Sequence, residues 1–340
     1  MLSQVIVIAL PPIIAGTSTY IALKSWIPIA YRFGLTGRDM NKAGNSIVAE
    51  AGGVWASVGA SFGLITLAAL KIYLEHARES LLELYALSLM LFMASFLGFV
   101  DDLMGWKKGL RIRYRVLLMA PLALPIVAIQ AGVSEMALPF IGKKDLGLAY
   151  SLVLVPIGVI GASNAFNMVA GYNGLEASMG IVLLTYTALY SYFIGEANIL
   201  LASIIGATSL IAFLLYNWYP AKVFPGNSLT YGFGAYYASL VILGNFEKFG
   251  VMQYALYFVE LVLFFRGLFN RVYKENFGLV LSDGSLDPPY KKIYSLTHLA
   301  IVIQKKIRGK ATEKGVVAIL LGSQFVVSSI AFALCILNVV

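Results

Sequence analysis

Charged residues are scarce in this sequence: they make up 12% of its 340 residues, against about 25% in an ordinary soluble domain. Hydrophobic residues make up 59%, and the mean hydropathy is +0.82. A soluble globular protein must present much polar surface to water, so this composition excludes a soluble globular protein. The chain is therefore predicted to be a polytopic membrane protein.

Cysteine and histidine are also scarce. Cys335 is the one cysteine, which excludes a disulfide framework and any cysteine-based metal cluster. The two histidines, His76 and His298, are too far apart in sequence to indicate a local pair of ligands. The sequence has no Walker A loop, so P-loop nucleotide binding is not indicated.

Long apolar runs, by contrast, are abundant. A bilayer core about 30 Å thick needs about 20 apolar residues per helix, and ten runs meet that need. We expect an all-α bundle of about ten transmembrane helices, forming one domain over residues 1–340 that includes a polar loop at 269–314. The runs are 4–30, 46–70, 81–100, 113–133, 147–164, 177–194, 197–216, 229–245, 250–268 and 315–338.

The basic residues are distributed unevenly between the two sides. The loops after the first, third, seventh and ninth runs carry nineteen Lys and Arg residues, whereas the loops on the opposite side carry five. Basic loops face the cytoplasm in membrane proteins. The nineteen are therefore predicted to be cytoplasmic, with both termini on the outer side, and the polar motifs described next fall on the cytoplasmic side.

Two adjacent aspartates, Asp101 and Asp102, close the third apolar run, LFMASFLGFV. The simpler interpretation is that they are interfacial side chains paired with Lys107 or Arg111 and have no role in a site. Two neighbouring carboxylates, however, raise each other's pKa unless a cation lies nearby. A hard cation such as Mg²⁺, which takes oxygen ligands and bridges to substrate phosphates, relieves this repulsion. Ionisable residues at membrane depth are usually functional, which favours a site.

Residues 164–180 read NAFNMVAGYNGLEASMG and lie between two apolar runs. Asn164 and Asn167 are three residues apart and share a face at a helix end. Gly171 and the Asn173-Gly174 turn allow backbone N–H groups to approach an anionic ligand. An ordinary loop remains the simpler interpretation of any one of these features.

Two further loops carry unusual polar residues. In YNWYPAKVFPGNSLTYG, residues 216–232, Phe224-Pro225-Gly226-Asn227 is a rigid turn that exposes a ring on which a nucleobase can stack. The first loop, GLTGRDMNKAGNSIVAEAGG, holds Asp39, Lys42 and Glu50. Carboxylates, amides, cations, an aromatic ring and glycine-rich turns on one face suit a nucleoside diphosphate held with Mg²⁺.

These motifs carry a resemblance. Four motifs occur in this order: GRDMNK, FVDD followed by LRIRYR, NAFNMVAGYNGLEA and NWYPAKVFPGN. Through them the chain resembles the polyprenyl-phosphate N-acetylhexosamine-1-phosphate transferases, in particular the UDP-GlcNAc–dolichyl-phosphate branch of eukaryotes and archaea. The resemblance implies transfer of GlcNAc-1-phosphate from UDP-GlcNAc to a dolichyl-type polyprenyl phosphate, with release of UMP. It also implies a ten-helix bundle, a cytoplasmic active site, Mg²⁺ as cofactor with Mn²⁺ as a substitute, and the first step of lipid-linked oligosaccharide assembly for N-glycosylation.

The resemblance also assigns roles to residues. Asp101, Asp102 and Arg115 are expected to be catalytic, and Asp102, Asn167 and Asn227 are expected to ligate the metal. Phe224 is expected to stack on the uracil, Asn173 to read it, and Glu50 to hold the ribose hydroxyls. The full set expected to bind substrate is Lys42, Glu50, Asn164, Gly171, Asn173, Phe224, Arg266 and Arg271.

The sequence departs from the family pattern at three places. Asn227 stands where the family's F-x-G-D turn has an Asp, and Gly105 stands where a third acid would follow the pair. Arg266 and Arg271 match only part of the family's His/Arg cluster for the N-acetyl sugar. The metal should therefore depend more on Asp101, Asp102 and phosphate oxygens, and a transferase for another UDP-N-acetylhexosamine or cell-envelope glycan precursor is the alternative.

A secondary transporter is a remote alternative, because such proteins usually show repeated halves and paired broken helices, and the sequence indicates neither.

The expected partners are UDP-GlcNAc, the polyprenyl phosphate and the bilayer; nucleic acid is not among them, and a homodimer is left open. With no Asn-x-Ser/Thr acceptor in the sequence, we expect the plasma membrane of a prokaryote, in the first place an archaeon, with the ER membrane as the alternative.

Overall fold

The computed structural model describes residues 2–78, 80–105, 118–138 and 142–337. These residues are mostly helical, with three small two-stranded antiparallel sheets. Within the described residues, seven helices are long and apolar enough to cross a membrane, and up to eight if a bent pair of helices is one span. The prediction of an all-α polytopic membrane protein is confirmed.

Two short helical turns accompany the main helices: a 3₁₀ turn (Ala120–Ala123) and a π-helical turn (Tyr150–Leu154). In order the elements are α1 (Leu2–Arg32), β1 (Thr36–Arg38), β2 (Ile47–Ala49), α2 (Gly53–Glu75), α3 (Leu81–Leu103), α4 (Leu124–Ala128), β3 (Glu135–Leu138), β4 (Gly142–Asp145), α5 (Val155–Met168), α6 (Leu175–Ile194), α7 (Ala197–Asn217), α8 (Gly226–Leu243), α9 (Glu247–Gln253), α10 (Ala255–Phe269), β5 (Leu279–Val280), β6 (Leu286–Asp287), α11 (Leu296–Arg308) and α12 (Glu313–Ile336).

Helices dominate because a backbone in lipid must satisfy its own hydrogen bonds. The lipid-facing helix α1 buries a single stripe at intervals of three or four residues, from Val7 to Ala30. The central helix α8 is instead buried at every position from Ser228 to Ile242. The bundle is therefore built around α8, and its first turn lies among the ends of several neighbours.

A close approach of α3 to α8 places the acid pair. A Cβ added at Gly98 would lie 2.3 Å from the carbonyl oxygen of Asn227, so only glycine allows the two helices this distance. Asp101 and Asp102 follow one turn later on α3. The last turn of α3 therefore meets the first turn of α8.

Most predicted spans have a helix in the structure. The ninth is the pair α9 and α10, bent by 56°, and the eighth is the buried 18-residue helix α8. Part of the fourth lies outside the described residues, and its described part holds the 3₁₀ turn and α4.

The second predicted span begins too early. Residues 47–49 form β2, which pairs with β1, and Ala49 also bridges to Val223. Helix α2 begins only at Gly53, so Glu50 lies before the helix rather than inside it. The pairing of these backbone groups with strand partners outweighs the apolar composition that suggested a helix.

Candidate active site

Asp102 closes the N-terminus of α8. Its Oδ1 accepts the backbone N–H of Asn227 at 2.6 Å, and its Oδ2 accepts that of Ser228 at 3.1 Å. The first N–H groups of a helix have no partner within the helix, and a negative charge there is favoured by the helix dipole. Asp102 thus fixes the start of α8 to the end of α3.

Gly226 makes this contact sterically feasible. Its φ is +65°, a conformation that side chains disfavour, and a Cβ there would lie 2.2 Å from Oδ2 of Asp102. A larger residue would push the carboxylate away from the N–H groups that it accepts. The glycine of the Phe-Pro-Gly-Asn turn is therefore required by the position of Asp102.

Asp101 is buried beside the same turn. Its Oδ2 accepts the side-chain amide of Asn227 at 2.7 Å and the hydroxyl of Tyr231 at 3.3 Å. On the next turn of α8, the Thr230 hydroxyl donates to Oδ1 of Asn167 at 2.9 Å. Hydrogen bonds thus join the ends of α3 and α5 to the start of α8. We call Asp101, Asp102, Asn167, Asn227 and Thr230 the acid–amide cluster.

The acid–amide cluster has the donor chemistry of a hard-cation site. Its carboxylate and amide oxygens are the ligand types that Mg²⁺ takes, and Mg²⁺ usually completes its shell with water and substrate phosphates. Within the described part of the chain, no group of three or more His, Cys, Asp or Glu residues could hold a metal on its own. The cluster therefore fits a cation that shares its coordination with a phosphorylated substrate.

Phe224 and Glu50 lie on two segments that are joined by backbone hydrogen bonds. The N–H of Phe224 donates to the carbonyl of Ala49 at 2.7 Å, and the N–H of Gly52 donates to the carbonyl of Phe224 at 3.0 Å. The ring of Phe224 is half-buried three residues before Asn227. The predicted uracil-stacking ring is thus held beside the acid–amide cluster.

Burial raises the pKa of the Glu50 carboxyl, which lies against Gly37. Glu50 is also close enough to Asp102 for the two charges to repel each other. Three carboxyl groups, from Glu50, Asp101 and Asp102, therefore share one region. Such an arrangement favours hydroxyl donors or a cation between them.

The loop between α5 and α6, residues 169–174, is held by buried carboxylates; we call it the asparagine loop. Gly171 donates its N–H to Glu176 at 2.9 Å, and Asn173 donates its N–H to Glu313 at 2.8 Å. The side-chain amide of Asn173 donates to Asp39 at 3.0 Å. The predicted nucleotide-binding loop is thus fixed by acids from three different segments.

Lys42 lies between Asp39 and an aromatic ring. Its ammonium group pairs with Asp39 and lies 4.6 Å from the ring centre of Tyr219. The ammonium of Lys314 lies 4.7 Å from the centre of the same ring. Cations are attracted to the face of an aromatic ring. Two positive charges therefore lie next to the asparagine loop, where they suit a diphosphate.

Among the described residues, three predicted site residues do not join these contacts. Asn164 donates to the carbonyl of Ile160 at 2.8 Å and approaches the sulfur of Met119 at 3.2 Å. Arg266 donates to the carbonyl of Ile293 at 3.3 Å, and Arg271 is exposed. Arg115 lies outside the described residues. The roles assigned to these four residues stay predictions.

Sequence reasoning missed several residues that hold the site together. Glu176 and Glu313 bind the asparagine loop, and Asn217 accepts the N–H of Gly174 at 3.1 Å. Both glutamates are buried at the start of apolar helices. A carboxylate at the edge of an apolar run is costly unless it has a partner. The position of both glutamates in the sequence therefore indicates that each has a partner.

The sequence matches known proteins over nearly its whole length. The family described as Glycosyl transferase family 4 matches residues 84–245. A Sulfolobus acidocaldarius protein, provisionally named a UDP-N-acetylglucosamine–dolichyl-phosphate N-acetylglucosaminephosphotransferase, is 30% identical over 338 residues, covering 97% of each chain. A Saccharolobus solfataricus protein with the same provisional name is 31% identical, covering 97% of this chain and 98% of its own. A Dictyostelium discoideum enzyme of that name is 26% identical, covering 74% of this chain and 69% of its own.

Proposed function

Because this chain belongs to glycosyl transferase family 4, we propose that it transfers GlcNAc-1-phosphate from UDP-GlcNAc to a dolichyl-type polyprenyl phosphate. The products are UMP and the GlcNAc-diphosphate lipid. The family membership predicted from the four motifs is confirmed by these relatives. The lipid product would begin a lipid-linked oligosaccharide of the kind used in N-glycosylation.

One observation carries the proposal. The acid–amide cluster, the ring of Phe224 and the asparagine loop meet at the end of the bundle where α3 and α5 finish and α8 begins. Phe224 supports binding of a nucleobase, Lys42 and Lys314 support binding of a diphosphate, and the cluster supports a divalent cation. A nucleoside diphosphate sugar needs all three.

The reaction needs little proton transfer, because the lipid phosphate is already anionic. One of its oxygens attacks the β-phosphorus of UDP-GlcNAc and forms a new phosphorus–oxygen bond. The bond from that phosphorus to the bridging oxygen breaks, and the electron pair stays on the oxygen of the departing UMP. We expect no phospho-enzyme, so Asp101 and Asp102 act by position and charge rather than as nucleophiles.

The residues of the cluster hold the reacting groups in place. Asp101, Asp102, Asn167 and Asn227 would hold Mg²⁺, or Mn²⁺ in its place. When bound, the ion supplies positive charge that reduces the repulsion between two anionic substrates. Asp102 also fixes the first turn of α8, so Asn227 and Thr230 keep their positions. Positioning of this kind supplies much of the rate in phosphoryl transfer.

The distribution of basic residues supports a cytoplasmic active site. The nineteen Lys and Arg residues of the loops on the active-site side, against five on the other, favour this orientation. UDP-sugars are soluble anions, so they would reach the site from the cytosol, while the lipid phosphate would reach it from the bilayer. The archaeal relatives support the plasma membrane of a prokaryote as the location.

The identity of the sugar is tested by a panel. Purified protein is incubated with polyprenyl phosphate, Mg²⁺ and UDP-GlcNAc, UDP-GalNAc, UDP-glucose or UDP-MurNAc-pentapeptide. We expect UMP from UDP-GlcNAc and little from the other three. UMP from another N-acetylhexosamine donor alone would establish the alternative substrate, and release of UDP instead of UMP would show sugar transfer without phosphate.

A further inference from the structure

Residues 274–278, a segment of the long loop after α10, contact the asparagine loop. The side-chain amide of Asn276 donates to the carbonyl of Met168 at 2.9 Å and to that of Ala170 at 3.0 Å. The hydroxyl of Tyr172 donates to the backbone carbonyl of Asn276 at 3.3 Å. One asparagine therefore contacts three residues in and beside the asparagine loop.

The other side of Asn276 is fixed by a buried ion pair. Its Oδ1 accepts the ammonium of Lys274 at 3.0 Å, and that ammonium also pairs with Glu260. Glu260 is fully buried and accepts the N–H of Leu296 at 2.7 Å. The amide oxygen thus faces a cation and the amide nitrogen faces two carbonyls, which defines one orientation of the side chain.

The same segment also reaches the first loop. Gly278 donates its N–H to Oδ1 of Asn41 at 3.1 Å, and the amide of Asn41 donates to the carbonyl of Gly171 at 2.8 Å. The carbonyls of the loop region therefore accept side-chain amides, while its N–H groups donate to Glu176 and Glu313. Donors on one side and acceptors on the other fix the backbone between Met168 and Asn173.

We propose that Asn276 is a positioning residue for the nucleotide half of the active site. It sets the carbonyls of Met168 and Ala170, and thereby holds Gly171 and Asn173 in the conformation that receives the UDP part of the donor. This inference rests on the proposed function and deepens it. The lipid phosphate is expected at the opposite side of the site, near Asp101, so its binding should not depend on Asn276.

Asn276→Asp tests the inference. The variant keeps the shape of the side chain and the oxygen that faces Lys274, but it places a second oxygen against two carbonyl oxygens. We expect the KM for UDP-GlcNAc and the Kd of UDP, measured calorimetrically without lipid, to rise roughly tenfold, as two hydrogen bonds are lost. The KM for polyprenyl phosphate should stay within about twofold. Asn245→Asp, the same change in the exposed turn after α8, should alter neither constant.

Tyr172→Phe provides a second test if Asn276→Asp folds poorly. It removes one hydrogen bond to the segment and keeps the ring, so the same two constants should rise by a smaller factor. Unchanged UDP binding in both variants would overturn the inference, as would a fall in kcat with both KM values unmoved. Wild-type protein that binds UDP but releases no UMP would overturn the proposed function instead, and UDP binding would still decide the role of Asn276.

Discussion

Asn227 donates its side-chain amide to Oδ2 of Asp101 at 2.7 Å, and this hydrogen bond joins the first turn of α8 to the last turn of α3. The resemblance drawn from the sequence leads us to expect an aspartate at this position. A carboxylate there would face Asp101 without a proton to donate, so a cation would have to separate the two. This chain therefore holds the two helices together with an amide, and it places one negative charge fewer around the proposed metal.

Asn227→Asp should make the protein more dependent on the divalent cation. The added carboxylate is a stronger ligand for Mg²⁺ than an amide, but without the ion it repels Asp101. We expect the Mg²⁺ concentration for half-maximal UMP release to fall several-fold, and the Tm in EDTA to fall below that of the wild type. An unchanged Mg²⁺ requirement together with an unchanged Tm in EDTA would show that Asn227 does not face the metal.

Gly226→Ala should disrupt the site by displacing Asp102. The new methyl group would lie 2.2 Å from Oδ2 of Asp102, and alanine at a φ of +65° is strained. We expect the free energy of unfolding to fall by roughly 2 kcal/mol and UMP release to fall on the order of 100-fold. In Gly161→Ala, an added Cβ meets nothing within 4 Å, so this control should keep full activity. Equal behaviour of the two variants would contradict the assigned contact.

Asp102→Asn should abolish most activity while the protein still folds. The amide keeps one oxygen for the N–H groups of α8 but loses the charge that stabilises the helix start and the metal. We expect UMP release to fall on the order of 100-fold to 1000-fold, with a Tm lower by a few degrees. Asp283→Asn, which removes one negative charge from an exposed turn, is the control. Near-normal UMP release by Asp102→Asn would remove this carboxylate from the reaction.

His298 should make the protein sensitive to acid. Burial lowers the pKa of this imidazole from its ordinary 6.5 to about 4, so the folded protein binds the proton less readily than the unfolded chain. The neutral imidazole costs no stability above pH 6.5. As the pH falls from 6.5 towards 4, the free energy of unfolding decreases, and the decrease reaches roughly 3 kcal/mol. His298→Gln should therefore lose less Tm than the wild type between pH 7 and pH 4.5. His76→Asn, at the exposed histidine, should behave like the wild type; equal acid sensitivity of all three would refute the assignment.

Hydropathy predicted most helices but not the break between α9 and α10. The residues at the break, Gln253 and Tyr254, are neither proline nor glycine, so the apolar run does not mark it. The break is supported by distant residues, since Gln324 donates to the carbonyl of Gln253 at 3.0 Å and Tyr237 donates to its side chain at 2.6 Å. Backbone groups freed in an apolar interior need such partners, and a linear sequence does not show them.

The residue types of the site were predictable, but their partners were not. Adjacent aspartates, an asparagine-rich loop and a Phe-Pro-Gly-Asn turn are each visible in the sequence. The contacts that fix them join residues far apart, such as Asp39 with Asn173 and Met168 with Asn276. Those pairings follow from the packing of the helices, so only the fold reveals that the loop after α10 supports the nucleotide side.

The fate of the β-phosphate distinguishes direct transfer of the phosphosugar from other reactions. Purified protein is given UDP-GlcNAc labelled with ³²P at the β-phosphate, polyprenyl phosphate and Mg²⁺, and the label is followed into the lipid and aqueous phases. We expect label in the lipid, matched mole for mole by unlabelled UMP, and no label on protein in the absence of the lipid. Label that stays in the aqueous phase as UDP, or that becomes covalently attached to the protein, would contradict direct transfer of the phosphosugar.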